Sequence, residues 1–273
     1  MSATLVAMPC RTSDRTPHAA VGVEALAPLL AKRLGREPRV VGSPGDARPA
    51  GYEEDLRDSR GCILEAGGQV DDALTAETVP VLLATDCTIC LTTLPAVLRH
   101  RPDARILWLD AHGDFNTPGT SPSGYLGGMS LAGACGEWET GIGEPIPAGR
   151  VVLAGVRDLD ADERVLLERS GATVIGASVV ETLVAVKNAL DGAPVYVHLD
   201  LDVLDPEDFP AQFPAPGGLH PDKLFDLLES VVEECELLGV EVTAFEAPED
   251  AEERQEAAAT AAHVLRPLLD AIA

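Results

Sequence analysis

Positive charge is scarce in this chain. Its 273 residues include 20 Lys and Arg against 45 Asp and Glu, only three of the cations are lysines, and the net charge is −25. So anionic a surface repels phosphate backbones and anionic headgroups, which argues against nucleic acid or membrane as a partner and favours approach of a cationic small molecule. The same acidity also serves solubility, and composition does not separate the two uses. Long hydrophobic runs are absent too: nothing approaches the roughly 18–20 consecutive apolar residues of a membrane span. The apolar run within MSATLVAMPCRTSDR at the N-terminus is too short and too early for a secretory signal, so a cytoplasmic protein is expected. Cysteines are few and scattered, at Cys10, Cys62, Cys87, Cys90, Cys135 and Cys235. That usage suggests reduced thiols rather than a disulfide framework.

What is present is apolar material, 46% of the residues, enough to bury a sizeable core. No internal repeat or low-complexity linker divides the chain, so one domain over residues 1–273 is expected. Short apolar runs predict strands at Ala3–Met8, Val79–Ala84, Arg105–Leu109, Val151–Val156, Val195–Leu201 and Val240–Phe245. Longer amphipathic stretches predict helices at Val21–Leu34, Thr88–Arg99, Asp162–Ser170, Ser178–Leu190, Pro221–Leu238 and Ala251–Ile272. This alternation is that of a parallel sheet with helices on both faces, an α/β fold whose ligands bind beyond the carboxyl ends of the strands.

Two strand ends carry the polar residues that matter. Arg105-Ile-Leu-Trp-Leu-Asp-Ala-His-Gly-Asp114 runs from an apolar strand into Asp110, His112 and Asp114; Val195-Tyr-Val-His-Leu-Asp-Leu-Asp-Val-Leu-Asp-Pro206 runs into Asp200 and Asp202. Side chains two apart on a strand share a face, so each pair can point into one space. Four carboxylates gathered there repel one another unless cations lie among them. Oxygen ligands with one imidazole suit Mn2+, with Zn2+ and Fe2+ as alternatives. Taken alone, an Asp-x-His or Asp-x-Asp is an ordinary loop start or helix cap; following apolar strands twice in an α/β pattern, the pair reads as a metal centre.

Asp110-Ala-His-Gly-Asp-Phe-Asn-Thr-Pro118 and Asp200-Leu-Asp-Val-Leu-Asp-Pro206 resemble the two signature motifs of the ureohydrolases, the arginase and agmatinase family, in order and spacing from about Val79 to Pro248. The resemblance implies a three-layer α/β/α fold around a mostly parallel eight-stranded sheet. It also implies two Mn2+ ions: Asp110 and Asp200 bridge them, Asp114 completes one ion and His112 with Asp202 the other. The implied nucleophile comes from water held between the ions.

The chain departs from that pattern twice. Where the family usually has Gly-Gly-Asp-His-Ser, it has Ala84-Thr-Asp-Cys-Thr88, so Cys87 stands in for a histidine ligand. A thiolate is softer than manganese prefers, which predicts looser binding or tolerance of a softer metal at that position. Cys87-Thr-Ile-Cys90 also reads as a lone Cys-x-x-Cys, for which a thiol-redox role is the rival interpretation. In Ser123-Gly-Tyr-Leu-Gly-Gly-Met129, Gly127 occupies the place where arginases carry a histidine before Gly-Met, so the site is roomier and short of a general acid.

Resemblance to arginases also assigns substrate contacts, implying an arginine-like small molecule. Asn116, Ser121 and Ser123 inherit the carboxylate, Asp160 the α-amino group, and Glu246 in Ala244-Phe-Glu-Ala-Pro248 the guanidino group, with Asp114 and Glu246 as catalytic residues. Each has a plainer alternative: turn residues for the first three, a helix cap for Asp158 or Asp160, a solvated strand end for Glu246. The Cys-for-His exchange, the small size and a composition rich in Ala, Gly, Pro and Arg resemble a specialised group, the Nω-hydroxy-L-arginine hydrolases of D-cycloserine pathways, which release hydroxyurea and L-ornithine. An ordinary arginase, another guanidino-acid hydrolase and a non-catalytic metal-binding homologue are the alternatives. Monomer and homo-oligomer are both compatible with the sequence. His18, His100, His198, His220 and His263 receive no catalytic role, His220 alone lying near the metal-side loops.

Overall fold

The central strands are apolar runs rich in Val, Ile and Leu, too short for helices and bounded by turn residues. The computed structural model describes residues 2–177 and 179–273, with side chains for all of these but 179–181. In chain order its elements are β1 (Ala3–Met8), α1 (His18–Leu34), β2 (Arg39–Val40), α2 (Tyr52–Asp58), α3 (Arg60–Thr75), β3 (Val79–Ala84), α4 (Cys90–His100), β4 (Arg105–Leu109) and α5 (Ser130–Ala134). They continue with β5 (Val151–Val156), α6 (Ala161–Ser170), β6 (Thr173–Gly176), α7 (Val179–Leu190), β7 (Val195–Asp200), α8 (Pro221–Glu234), β8 (Leu237–Thr243), α9 (Ala251–Val264) and α10 (Arg266–Asp270).

The eight strands form one sheet in the order β2-β1-β3-β8-β7-β4-β5-β6, and every neighbouring pair is parallel. Alternate residues feed two separate cores, giving three layers. Leu107 and Leu109 of β4 join Val197 and Leu199 of β7 under α1, α7, α8, α9 and α10. Ile106 and Trp108 point the other way, with Tyr196, into a core closed by α3, α4, α5 and α6. Buried on both faces, the inner strands read as continuous apolar runs, which is why β1, β3, β4 and β5 coincide with the sequence expectation. No helix among the described residues is long and apolar enough to cross a membrane.

The differences have local causes. β7 stops at Asp200 because the Asp200 carboxylate accepts the Asp202 amide and turns the chain. β8 starts at Leu237 and α8 ends at Glu234, since the apolar run beyond Cys235 fits a helical period as well as a strand. The terminal helix divides at Leu265: Pro267 has no amide to continue the ladder. Both edge strands are exposed and lack an apolar pattern. Ser178, read from sequence as a helix start, lies outside the described residues.

One thiol expectation is corrected. Cys10 and Cys62, 52 residues apart, form a disulfide joining the end of β1 to α3, while Cys87, Cys90, Cys135 and Cys235 are free as expected. Helix α3 escaped notice because Gly67-Gly68 sits at its centre and reads as a turn. The first glycine is there for packing: a Cβ on Gly67 would lie 2.6 Å from the Thr92 Cβ, and its amide donates to Thr92 Oγ1 at 3.1 Å. Substituting Gly67→Val should therefore force α3 away from α4 and cost about 2 kcal/mol of stability, in the range of core overpacking. Urea unfolding followed by circular dichroism checks this; an unchanged midpoint would show that α3 shifts freely.

Candidate metal centre

Strands β4 and β7 are neighbours with Leu109 opposite Leu199, so Asp110 and Asp200 emerge side by side. Each then folds the same turn. Asp110 Oδ1 accepts the His112 amide at 2.7 Å, and Asp200 Oδ1 accepts the Asp202 amide at 2.8 Å. These aspartate turns, rather than the strand pleat expected from sequence, aim His112 and Asp202 at one another. His112 Nδ1 lies 2.9 Å from Asp202 Oδ2 and 3.4 Å from Asp110 Oδ1, and the Ala111 amide donates to Asp202 Oδ1 at 3.0 Å. Asp114 completes the group from a left-handed backbone, φ 47°, a conformation that non-glycine residues adopt at a cost. Ser130 Oγ donates to its carboxylate at 3.2 Å. Arg157 locks the loop after β7 from below, donating to the carbonyls of Asp202, Val203, Leu204 and Ala215.

Cys87 approaches from the turn after β3. Its Sγ is 3.0 Å from Asp200 Oδ2, to which the thiol donates, 3.1 Å from Thr243 Oγ1 and 3.3 Å from His198 Nε2. His198 is fully buried, stacked on Trp108 with ring centroids 3.5 Å apart, and its Nδ1 lies 2.6 Å from Glu241 Oε1. A carboxylate can only accept, so Nδ1 carries the proton and Nε2 faces the sulfur. Two sets of ligand atoms result, each within 4.8 Å: Asp110, His112 and Asp202 in one, Cys87, Asp110 and His198 in the other. His198 was passed over in the sequence. The signal was its position two before Asp200 on one strand face; what makes it count is the register that sets Glu241 of β8 beside it.

Burial and mutual repulsion dominate the electrostatics. Desolvation, then the Asp202 charge, raises Asp110 to about 6. Burial and the neighbouring aspartates also raise Asp114 and Asp200, while His112 holds Asp202 low. Burial opposes a charge on His112, yet its hydrogen bonds to Asp110 and Asp202 push it up to about 12. Protons thus occupy a site crowded with anions. Sulfur, imidazole and carboxylate donors held together with charge to spare fit two divalent cations. The Cys-x-x-Cys alternative fares poorly: burial raises both the Cys87 and Cys90 thiols, whereas a redox dithiol needs a lowered one.

A cavity of about 460 Å³ opens over the centre. Asn116, Ser121, Ser123 and Asp160 line it beside Cys87, Asp110, His112, Asp114, Asp200 and Asp202. Asn116 Nδ2 donates to Asp160 Oδ2 at 3.0 Å; Asp160 also begins α6, its amide donating to Glu163 Oε2 at 3.1 Å, so the capping and site readings coexist. Glu246 is not brought in: it is absent from the lining, and its Oε1 accepts from Thr16 Oγ1 at 2.6 Å. His220 caps α8 and stays outside the cavity. Lining residues that the sequence did not single out include Arg15, Asp86, Tyr125, Glu163, Gln212 and Phe213, all from loops or turns except Glu163.

The arginase family profile matches residues 44–269. The chain belongs to the arginase family. The N(omega)-hydroxy-L-arginine amidinohydrolase of Streptomyces lavendulae is 36% identical over 263 residues, 96% of both chains. An arginase from Brevibacillus brevis is 41% identical over 167 residues, 55% of each chain. The fold matches the crystal structure of arginase from Bacillus subtilis with a TM-score of 0.85, 25% identity and 98% of both chains covered. The two donor sets, sharing Asp110, form a binuclear metal-binding cluster typical of the ureohydrolases.

Because metal must displace protons from Asp110 and its neighbours, affinity is expected to fall as pH falls through about 6, where Asp110 takes up its proton. Each displaced proton steepens the dependence by about tenfold per pH unit. Calorimetric titration of metal-depleted protein with Mn2+ between pH 5 and 8, in buffers of different ionisation enthalpy, reads both affinity and proton release. A pH-independent affinity would contradict the electrostatics described.

Proposed function

We propose that this arginase-family amidinohydrolase cleaves the guanidino group of Nω-hydroxy-L-arginine to hydroxyurea and L-ornithine, with two Mn2+ ions, in antibiotic biosynthesis. The observation that carries the reading is at Gly127, where a Cβ would lie 2.5 Å from the Tyr125 ring: the ring fills the place expected to be roomier, and an imidazole would have to displace it. The one histidine lining the cavity among the described residues, His112, is engaged by Asp110 and Asp202. The pocket therefore offers no free imidazole to move protons. A guanidinium is permanently protonated; an N-hydroxyguanidine is less basic and bulkier, and tolerates that loss better. Likeness to the Streptomyces lavendulae amidinohydrolase over 96% of both chains supports the same substrate.

Bound metal ions supply Lewis-acid activation of water and charge neutralisation. The protein's own residues do the rest. Asp114, raised well above ordinary carboxylates by burial and Asp110, accepts the proton of the attacking water and delivers it to the departing δ-nitrogen. Asp160 and Asn116 hold the amino-acid end. Glu246 serves as guanidino clamp only by exchanging its Thr16 hydrogen bond for the substrate.

The manganese-loaded protein should form ornithine much faster from Nω-hydroxy-L-arginine than from L-arginine, compared as initial rates. Faster turnover of arginine would make the changes at Cys87 and Gly127 tolerated variation in an ordinary arginase. Full metal occupancy without turnover of either would point to a non-catalytic homologue.

A further inference from the structure

We infer that Arg15 is the residue that recognises the α-carboxylate of the substrate, held over the cavity by Tyr125 in the room that Gly127 leaves. The inference rests on reading the site as a hydrolase for a guanidino amino acid, and it concerns the end of the substrate remote from the reacting carbon.

The first observation is charge. Eight carboxylates line the cavity, and Arg15 is the only Lys or Arg among the described residues that do. Away from the metal centre, where His112 and the bound cations offset the aspartates, a carboxylate entering such a pocket meets its one fixed side-chain cation at that guanidinium. Asn116 does not fill the role by itself. Its Nδ2 is committed to Asp160 Oδ2, an acceptor, which leaves Asn116 Oδ1 buried and without a partner. An orphaned acceptor beside Asp160 calls for a donor, so it suits the α-ammonium group rather than the carboxylate. The carboxylate then needs donors elsewhere, and the Ser121 and Ser123 hydroxyls lie along the same wall as Arg15.

The second observation is placement. The Arg15 guanidinium lies 4.7 Å above the Tyr125 ring, Nη2 donates to the Ser123 carbonyl at 3.4 Å, and Nε is buried with no acceptor. A buried guanidinium donor left empty is a binding group awaiting an anion. The ring beneath it is fixed in turn: the Tyr125 hydroxyl donates to Asp86 Oδ2, and Phe213 packs at 5.2 Å. Any side chain at 127 would strike that ring, with the Tyr125 ring atoms and hydroxyl 2.5–2.8 Å from a Cβ. The missing side chain at 127 and the cation in the pocket are one arrangement. The segment bearing Arg15 is anchored before it by the Cys10–Cys62 disulfide, by the Arg11–Asp55 ion pair at 2.7 Å and by Asp14 accepting from Thr85 at 2.9 Å, and after it by Thr16 donating to Glu246 at 2.6 Å. The guanidinium is thereby preorganised.

The test compares ligands with and without the carboxylate. Kinetics on Nω-hydroxy-L-arginine and L-arginine are set against agmatine, and calorimetric binding of L-ornithine against 1,4-diaminobutane. With Arg15→Ala, KM for the amino acids and Kd for ornithine should rise by roughly 10- to 100-fold, as for loss of a charged hydrogen bond, with kcat little changed. The carboxylate-free ligands should bind as before or slightly tighter, since a cation has left the pocket. Arg15→Lys should recover part of the loss, and Gly127→Ala should reproduce it by displacing Tyr125. Equal effects on both ligand classes, or none, would overturn the inference. If no guanidino compound is turned over, the proposed reaction fails on its own, and the ornithine titration still decides the role of Arg15.

Discussion

Everything at the carboxyl edge of this sheet answers to one constraint: several aspartates must be kept close together in a buried place. Asp110, Asp114, Asp200 and Asp202 are each less than a tenth exposed. Two carboxylates about 4 Å apart repel by about 4 kcal/mol even at an effective dielectric constant near 20. A few such pairs reach the whole net stability of an ordinary domain, about 5–15 kcal/mol. The fold therefore surrounds them with donors. Backbone amides of Ala111, His112 and Asp202, the Trp108 indole at 3.0 Å from Asp110, and the Ser130 hydroxyl all point at carboxylate oxygens. These reduce the repulsion without removing it, since Asp110, Asp114 and Asp200 still bind protons more readily than free aspartate. A chain that keeps such an arrangement has a use for cations in it, and the donors are shaped accordingly.

That constraint also explains what could be read from the sequence. Inner strands β3, β4 and β5 announced themselves as unbroken apolar runs, and the aspartates announced themselves by following them directly. The convergence of two such strand ends was a property of the α/β pattern. What escaped was whatever depends on a neighbour distant in sequence. His198 received no role from the sequence; Glu241 and Cys87, set on either side of its ring, give it one. The Cys10–Cys62 disulfide and the two exposed edge strands had no local signature. Arg15 and Tyr125 lie in loops, where residue type alone says little about direction. Glu246 is the converse case: its position in the motif was plain, while the direction of its carboxylate, toward Thr16, depends on a segment distant in sequence.

The two departures from the family pattern are not isolated substitutions. At one, a sulfur replaces an imidazole ligand, and an imidazole reappears one row deeper, on β7, with Nε2 on that sulfur. Its carboxylate partner Glu241 is itself completely buried and also accepts from the Tyr196 hydroxyl at 3.0 Å. Such a chain of buried polar groups is costly unless its members are paired; here both Glu241 oxygens accept, from His198 and from Tyr196, and the Cys87 thiol donates to Asp200. At the other, a side chain is removed and the ring of Tyr125 takes its volume, bringing a hydroxyl and a cation to the wall. In both places polarity is relocated rather than lost.

The relocation changes what the pocket can discriminate. An imidazole at 127 would add a proton carrier between the reacting centre and the amino-acid end. Without it the cavity lining combines the clustered aspartates, one guanidinium among the described residues, and an unpartnered acceptor in Asn116 Oδ1. A ligand that satisfies all three must be cationic or polar at one end and zwitterionic at the other. Its length is bounded by a cavity of about 460 Å³. Selectivity of this kind comes from unpaired polar groups that penalise the wrong ligand, and it discriminates more sharply than apolar fit because each empty donor or acceptor carries its own desolvation cost. Reactivity at the far end is then free to be set by the substrate's own basicity, which is where a protein without a spare imidazole would be expected to place it.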